Sequence, residues 1–321
     1  MRIAGEQPPV PQLVAPPPDT PSTLPPPTDG DDGTRLYRDI VYANEIGYRP
    51  LRMDLMVPAG AGPVPVVLWL HGGGFLMGSR RRSALSGPPW EALLARRIAV
   101  AVVEYRFAFE ERFPACVHDV KAAVRWVRRH GPDLGLLPDG IGVWGESAGG
   151  YLSAFLALDG RQRALEGEVG VTGPSSEVSV AVAWYPPTDF LAMDTQAEGG
   201  RSIHPHDDPG SPESLLIGGP LRKNPDAASA ASPLSYSASS GPAPLLMMHG
   251  TEDPYVPYRQ SVVLAEAMAA RGAPVTLRLV EGAGHMFEGA DHGPLIEQAV
   301  DFLADHLMRP DPEPTQHPSG E

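Results

Sequence analysis

Short apolar runs recur along this chain and alternate with stretches whose apolar residues have helical spacing. The runs lie at 66–70, 98–103, 141–144, 178–184, 244–248 and 275–280. Continuous apolar segments of this length predict strands that are buried on both faces. Helical spacing occupies 90–97, 114–130, 151–158, 258–271 and 294–307. Because strands and helices alternate, the pattern predicts an α/β protein whose mostly parallel sheet carries helices on both faces.

Both ends of the chain depart from this alternation. Residues 37–42 and 51–57 alternate between polar and apolar types, which predicts two antiparallel strands joined by a turn. Residues 1–34 are rich in proline and end in an acidic turn, so we expect them, like residues 309–321, to form a disordered tail. A single domain, 35–308, remains between the tails.

The segment at about 190–242 interrupts the alternation inside that domain. It is rich in Gly, Pro and Ser, and no long apolar run crosses it. A structureless loop of this length is uncommon inside a compact domain. We therefore expect short helices there that form a wall or a cap.

A Gly-Glu-Ser-Ala-Gly sequence follows the apolar run 141–144 and precedes the helical stretch 151–158. A serine on a tight turn from a strand into a helix has an exposed hydroxyl. The residues two before and two after it must be small, because strand and helix pass close together there. Gly145 and Gly149 meet that need, so we expect Ser147 to be a nucleophile.

A His-Gly-Gly-Gly-Phe segment, residues 71–75, follows directly after the apolar run 66–70. Three successive glycines let backbone amides converge on one point, which is what a developing oxyanion requires. We expect the amides of Gly73, Gly74 and Ala148 to be the donors. A flexible turn and a phosphate-binding loop are the alternatives, but neither needs the histidine and no Gly-Lys-Ser/Thr sequence follows.

A serine hydroxyl needs a general base, and the base needs a carboxylate that orients it. In a site of this kind both lie on loops after later strands, in the chain order serine, acid, histidine. Asp253 follows the run 244–248 within His-Gly-Thr-Glu-Asp-Pro, and His285 follows the run 275–280 within Gly-Ala-Gly-His. We expect Asp253 to be the acid and His285 to be the base.

Other acidic residues and histidines near these loops are weaker candidates. Glu252 is adjacent to Asp253, but from a neighbouring position on a tight turn its side chain should point elsewhere. Asp189 follows the preceding strand, where capping a turn or a helix is the simpler role. We expect His249 and His292 to be structural or surface residues.

The His-Pro-His-Asp-Asp sequence at 204–208 resembles a set of metal ligands. It lacks the spacing that would fix a coordination geometry, so we predict no metal site. The one cysteine, Cys116, carries no catalytic motif and allows no internal disulfide. No run approaches the roughly 18 apolar residues of a membrane span, and no secretory signal pattern is seen. We expect a cytoplasmic protein that needs no cofactor.

Length and charge narrow the class of partner. At 321 residues with 42% hydrophobic content, the chain is long enough for one sizeable core. Its formal net charge of −14 disfavours nucleic acid and anionic membranes, because both are negatively charged. A neutral or apolar small molecule fits this charge better, and the oligomeric state stays open.

The motifs at 71–75 and 145–150, together with Asp253 and His285, resemble those of the α/β-hydrolase esterases. They are most similar to the hormone-sensitive-lipase-like carboxylesterases and to the bacterial feruloyl and acetyl-xylan esterase-like group. The resemblance extends over about 36–307. It implies the α/β-hydrolase fold with a small cap-like insertion, and a serine carboxylesterase that forms an acyl-enzyme without a cofactor or a metal.

One departure and one question of specificity remain. Glu146 precedes the expected nucleophile where many hormone-sensitive-lipase-like members have Asp, which blurs the subfamily but not the reaction. We expect a short- to medium-chain or aryl ester as the substrate. The candidates for its pocket lie beside the expected catalytic loops: Phe75, Trp184, Tyr185 and Met286. A small amidase, formamidase or peptidase using the same residues is the alternative, and a non-catalytic ligand-binding protein is the remote one.

Overall fold

A computed structural model of the chain describes residues 24–45, 47–81, 89–159, 165–197, 203 and 205–308. Nine strands of the described part form one sheet. They are β1 Thr28–Asp29, β2 Arg35–Ala43, β3 Leu51–Val57, β4 Val64–Leu70, β5 Ala99–Val103, β6 Leu136–Glu146, β7 Val180–Trp184, β8 Leu245–Gly250 and β9 Val275–Val280. Their order in the sheet is β1-β2-β3-β5-β4-β6-β7-β8-β9. β1, β2, β3 and β5 pair antiparallel, and every pair from β5 to β9 is parallel.

Helices cover both faces of this sheet, as the alternation predicts. They are α1 Trp90–Ala95, α2 Ala115–His130, α3 Ala148–Asp159, α4 Met193–Gln196, α5 Pro212–Ile217, α6 Pro225–Ala230, α7 Arg259–Ala269 and α8 His292–Leu307. Buried residues of α2, α3 and α7 belong to one hydrophobic core, and those of α1 and α8 belong to a second. The sheet therefore separates two cores.

Strand β4 shows why the strands in the middle of the sheet do not alternate between polar and apolar residues. Val66, Leu68 and Leu70 point into the first core, while Val67 and Trp69 point into the second. Successive side chains of a strand lie on opposite faces, so a strand covered on both faces must be apolar throughout. The continuous apolar runs therefore correctly predicted the strands in the middle of the sheet.

The parallel strands bring their carboxyl ends to one edge of the sheet. β4 ends there before the glycine segment at 71–75, and β6 ends before Ser147. β8 and β9 end before the loops that carry Asp253 and His285. In open α/β sheets ligands bind at this edge, so four segments that are distant in sequence meet at a usual binding position.

Some predicted boundaries differ from the observed ones. β1, Thr28–Asp29, pairs with β2 and lies within the predicted tail 1–34, so the sheet begins before the boundary that we expected. β6 begins at Leu136, five residues before the apolar run, because Leu136 pairs with Val64 of β4 ahead of an irregularity in the register. Residues 1–23 and 309–321 lie outside the described residues.

The insertion between β7 and β8 contains the expected short helices. These are α4, α5 and α6, together with single 3₁₀ turns. Leu216 of α5, Leu221 and Ala228 of α6 are buried in the first core, which fixes the insertion to the domain. Within the described ranges, no helix has both the length and the apolar character needed to cross a membrane.

Candidate active site

Ser147 lies between the end of β6 and the start of α3, with a φ of 53°. A non-glycine residue rarely adopts this left-handed conformation, and it is held here by neighbouring backbone groups. The Ser147 N–H donates to the Trp184 carbonyl at 2.9 Å, and its carbonyl accepts from the Tyr151 N–H at 2.9 Å. The turn thus follows the nucleophile-elbow pattern that the sequence predicts.

The positions two before and two after the serine must be glycine, because backbone atoms of neighbouring elements approach them closely. A Cβ on Gly145 would lie 2.2 Å from the Gly149 carbonyl oxygen, and a Cβ on Gly149 would lie 2.0 Å from the Leu70 carbonyl oxygen. Both distances are far below van der Waals contact. Strand β6, helix α3 and the end of β4 therefore meet at backbone distance only because these positions lack side chains.

His285 and Asp253 are in direct contact across two loops. His285 Nδ1 lies 2.6 Å from Asp253 Oδ2. Because the carboxylate accepts, Nδ1 carries the proton and Nε2 is left as the basic nitrogen. The imidazole ring is flanked by two aromatic rings, with its centroid 4.6 Å from that of Tyr185 and 5.2 Å from that of Tyr255. These contacts fix the plane of the base.

The Asp253 carboxylate is fully buried and receives further hydrogen bonds. Its Oδ1 accepts from the backbone N–H groups of Tyr255 at 2.8 Å and Val256 at 2.9 Å. Burial raises the pKa of Asp253, but hydrogen bonds from His249 and His285 outweigh it and hold that pKa well below its usual range. Asp253 therefore stays ionised at neutral pH and can stabilise a positive charge on His285.

His249 is a site residue that the sequence reasoning assigned to a structural or surface role. It is fully buried, and its Nε2 lies 2.8 Å from the Val256 carbonyl and 3.3 Å from Asp253 Oδ2. Both neighbours are acceptors, so Nε2 carries the proton and donates toward the acid. Nδ1 contacts Ser261 Oγ at 2.8 Å. The signal was available in the sequence, because His249 directly follows the predicted strand 244–248 and lies four residues before Asp253.

The glycine segment after β4 forms a tight turn beside the serine. Gly73 and Gly74 have φ values of 126° and 58°, and the Gly73 carbonyl accepts from the N–H groups of Leu76 and Met77. The turn begins at His71, whose ring stacks on Tyr105 at 4.5 Å. Residues 71–74 line the cavity that Ser147 also lines.

Ala148, the third expected donor, is the first residue of α3. The first N–H groups of an α-helix have no acceptor within the helix, so this amide is free of helical bonding. It follows Ser147 directly on the elbow. Its side chain is buried, which leaves the backbone as the part of Ala148 that can act.

A cavity of about 800 Å³ opens over these groups. Its lining includes residues 72–74, Ser147, Tyr185, His285 and Met286. The volume is in the range of small-molecule sites. The cavity therefore brings the expected nucleophile, base and glycine segment to one place.

Two of the four expected pocket residues do not line this cavity. Phe75 is 2% exposed and packs against Tyr151, with ring centroids 4.9 Å apart. Trp184 is fully buried on the far side of the sheet, against Trp144 at 4.8 Å. Tyr185, the residue after β7, belongs to the same cluster as Trp184, but its φ is 40° and it lines the cavity. We therefore correct the pocket assignment to Tyr185 and Met286.

The rival candidates lie elsewhere. Glu252 is exposed on the turn beside Asp253, and Asp189 binds Gln260 through its backbone N–H and carbonyl. His292 begins α8. In the ranges that the structure describes, no three His, Cys, Asp or Glu residues are arranged to hold a metal ion. The motif at 204–208 is only partly covered, since residue 204 lies outside the described residues.

A parallel sheet with a serine on a strained turn after β6, and an acid and a histidine after β8 and β9, defines an α/β-hydrolase. The model of the BD-FAE family matches residues 53–268, which is more than half of the chain. The chain belongs to this family.

Individual relatives are also similar over most of the chain. Esterase LipC of Mycobacterium tuberculosis is 28% identical over 278 residues, covering 85% of this chain and 63% of LipC. A structure of a truncated carbohydrate esterase from gut microbiota superposes with a TM-score of 0.76 at 26% identity, covering 88% of this chain and 99% of that one. Esterase 2 of Thermogutta terrifontis, phosphonylated by sarin, superposes with a TM-score of 0.67 at 27% identity, covering 83% and 93%. The chain thus spans less than two thirds of the length of LipC.

Proposed function

We propose that the protein is a serine carboxylesterase that hydrolyses short- to medium-chain or aryl carboxylic esters. The observation that carries the proposal is the convergence of Ser147, His285 and residues 72–74 on one cavity, with Asp253 bound to His285 at 2.6 Å. The similar proteins named above are esterases, which supports the same reaction class.

In the proposed reaction, His285 Nε2 takes the proton from Ser147 Oγ as the hydroxyl oxygen attacks the ester carbonyl carbon. The resulting oxyanion accepts hydrogen bonds from the amides of Gly73, Gly74 and Ala148. His285 then gives the proton to the alcohol oxygen, and the C–O bond breaks to leave an acyl-serine. A water molecule then attacks the acyl carbon as His285 takes its proton, and His285 returns that proton to Ser147 Oγ as the Oγ–C bond breaks and the acid leaves.

Asp253 and Tyr185 have supporting parts in this reaction. The ionised carboxylate of Asp253 keeps the proton on His285 Nδ1 and stabilises the imidazolium that forms. Tyr185 is buried, and its hydroxyl donates to Glu146 Oε2 at 3.2 Å while its ring contacts His285. Burial, with Glu146 nearby, raises the pKa of Tyr185 far above its usual value, so its hydroxyl remains a donor.

The proposal includes a small ester as the partner and a cytoplasmic location. The location is supported by the chain's single cysteine, Cys116, which is buried and has no partner for an internal disulfide.

Burial raises the pKa of the Cys116 thiol to about 12, which makes it a poor nucleophile. The reaction is therefore assigned to Ser147.

The test is hydrolysis of p-nitrophenyl esters from acetate to long acyl chains by the wild type and by Ser147→Ala. We expect turnover of short esters by the wild type and a loss of about 10³-fold or more in the variant. Ser240→Ala, on an exposed loop outside the cavity, should keep wild-type activity. Full activity in Ser147→Ala, or an inactive wild type on all esters, would contradict the proposal and direct attention to amides.

A further inference from the structure

Residues 71–78 form a closed turn between β4 and the exit of the chain from the cavity. The Gly73 carbonyl accepts from the backbone N–H groups three and four residues later. A Cβ built on Gly78 would lie 2.7 Å from the Gly72 carbonyl oxygen, so the end of the closed turn lies directly against its beginning. The expected oxyanion donors, Gly73 and Gly74, therefore move only if the closed turn moves as a whole.

Two hydrogen bonds fix the closed turn to the segment that follows β5. The Tyr105 hydroxyl donates to the His71 carbonyl at 2.7 Å. The Ala108 N–H donates to the Phe75 carbonyl at 2.8 Å. These bonds hold the entry and the tip of the closed turn, while its exit needs a separate anchor.

Arg80, two residues after Gly78, provides a third anchor at the exit. Its side chain is only 6% exposed and contacts three carboxylates. Nε donates to Glu104 Oε1 at 2.9 Å, and the two terminal nitrogens donate to Asp54 and Asp39. We call these three acidic residues the carboxylate cage. Because a guanidinium presents its N–H donors in a rigid plane, contacts on three sides fix its orientation as well as its position.

The carboxylate cage is assembled from the antiparallel end of the sheet. Asp39 belongs to β2, Asp54 belongs to β3, and Glu104 directly follows β5. Asp39 has a φ of 60° at an irregularity in the β2–β3 register, and its N–H donates to Asp54 Oδ1 at 2.7 Å. This conformation is strained for a residue with a side chain, and bulges often redirect a side chain near an active site. The strain is an observation independent of the ion pairs that also points to a specified geometry.

Stability alone does not explain a buried guanidinium among carboxylates. Asp54 is 5% exposed, and its strand neighbours Met53 and Leu55 are fully buried. Removing charges from water costs free energy, and apolar residues of similar volume are often at least as stable as a buried ion pair. A network of this kind does fix one arrangement, because a displaced guanidinium would leave buried carboxylates without a partner. One fixed arrangement is what a preorganised oxyanion site requires.

We propose that Arg80 is a positioning residue, which through the carboxylate cage holds the closed turn so that the amides of Gly73 and Gly74 point at the oxyanion. Ser79, the residue before Arg80, lines the cavity, so the anchor begins one residue from the substrate space. Oxyanion donors stabilise charge that develops in the transition state, so a displaced turn loses transition-state binding and keeps substrate binding. This inference rests on the proposed esterase function.

The test compares p-nitrophenyl acetate with its thiono analogue, in which sulfur replaces the carbonyl oxygen. Sulfur is a weak hydrogen-bond acceptor, so the ratio of kcat/KM for the oxygen ester to that for the thionoester reports on the amide donors. In Arg80→Gln we expect kcat for the oxygen ester to fall by about 100-fold while KM stays within about 2-fold of the wild type. The ratio should fall by about 10-fold or more, because the thionoester depends less on the donors.

Two further variants accompany Arg80→Gln. Arg80→Lys keeps a positive charge in the carboxylate cage but lacks the planar fork, so it should show a smaller fall of the same kind. Arg81→Gln is the matched control. Arg81 is 54% exposed and contacts Asp39 at 3.0 Å, and its loss should leave the ratio at the wild-type value because Arg80 keeps its three contacts.

The ratio separates positioning from general damage, since a partly unfolded enzyme would slow on both esters together. A wild-type ratio in the Arg80 variants, even with both activities lowered, overturns the positioning role while the esterase function stands. An equal fall of the ratio in Arg81→Gln overturns it as well. A wild type that is inactive on p-nitrophenyl acetate and is not labelled at Ser147 by a serine-reactive phosphonate overturns the proposed function, and the positioning role with it.

Discussion

Asp253 receives four hydrogen-bond donors in a fully buried position. Two backbone N–H groups bind Oδ1, while His285 and His249 approach Oδ2 at 2.6 and 3.3 Å. The arrangement stabilises the charged form of the carboxyl, because each donor interacts more strongly with an anion than with a neutral acid. At the scale of single residues, the candidate acid is therefore also a contributor to folding stability.

The lowered pKa of Asp253 determines how its contribution to folding stability changes with pH. A carboxyl with a folded-state pKa below its unfolded value stabilises the fold above the unfolded value of about 4, and the stabilisation is lost as pH falls toward the folded value. In urea unfolding we expect Asp253→Asn to be less stable than the wild type from pH 7 to about 5. The difference should shrink as the pH approaches about 3.

A control variant separates this effect from general acid destabilisation. Asp305→Asn removes a carboxylate from an exposed position on α8. The free energy of unfolding of this variant should stay close to that of the wild type at every pH. A difference for Asp253→Asn that grows toward acid pH would show that the carboxyl is not stabilised as an anion.

At the scale of elements, the elbow depends on how closely β6, α3 and β4 approach one another. The absent side chains of Gly145 and Gly149 set that distance. Helix α3 is wholly buried, so it cannot move outward to relieve a clash. The element that carries the nucleophile is thus fixed by packing on all sides.

We expect Gly149→Ala to be destabilised by about 3 kcal/mol, because the new methyl group would lie 2.0 Å from the Leu70 carbonyl oxygen. The matched control is Gly293→Ala in the first turn of α8, where the nearest atom would be 3.4 Å away. That variant should stay within about 1 kcal/mol of the wild type, since alanine favours helices. Denaturant unfolding gives both values, and equal stability of the two variants would contradict the packing argument.

At the scale of the whole molecule, buried ion pairs join helix α2 to helix α3 and to the loop that follows β5. Lys121 of α2 and Asp159 of α3 are both fully buried, with Nζ and Oδ2 2.8 Å apart. Arg106 and Asp119 form a second buried pair at 2.7 Å. Such pairs add little net stability compared with apolar residues, yet removing one partner leaves a buried charge without compensation.

The sequence contains two lysines, Lys121 and Lys223, and they provide a matched comparison. Lys121→Met should lower the free energy of unfolding by about 3 kcal/mol or more, because Asp159 would remain buried without its cation. Lys223→Met changes an exposed residue and should stay within about 0.5 kcal/mol of the wild type. Similar urea midpoints for both variants would show that Asp159 does not need its partner.

The sequence by itself determined the parallel sheet, the elbow and the order of serine, acid and histidine along the chain. These features are local, because a buried strand needs continuous apolar residues and a tight turn needs glycine. The placement of Asp253 and His285 followed from adding one rule, that parallel strands end at the same edge.

The tertiary structure decided which side chains face the cavity. Trp184 and Tyr185 are adjacent, and only the second of them, which has a φ of 40° after the end of β7, lines the cavity. The position of His249 beneath Asp253 and the pairing of His206 with Glu213 depend on how loops pack. Packing sets the distances of such contacts, so the four-residue spacing of His249 and Asp253 can suggest a contact but cannot fix its geometry.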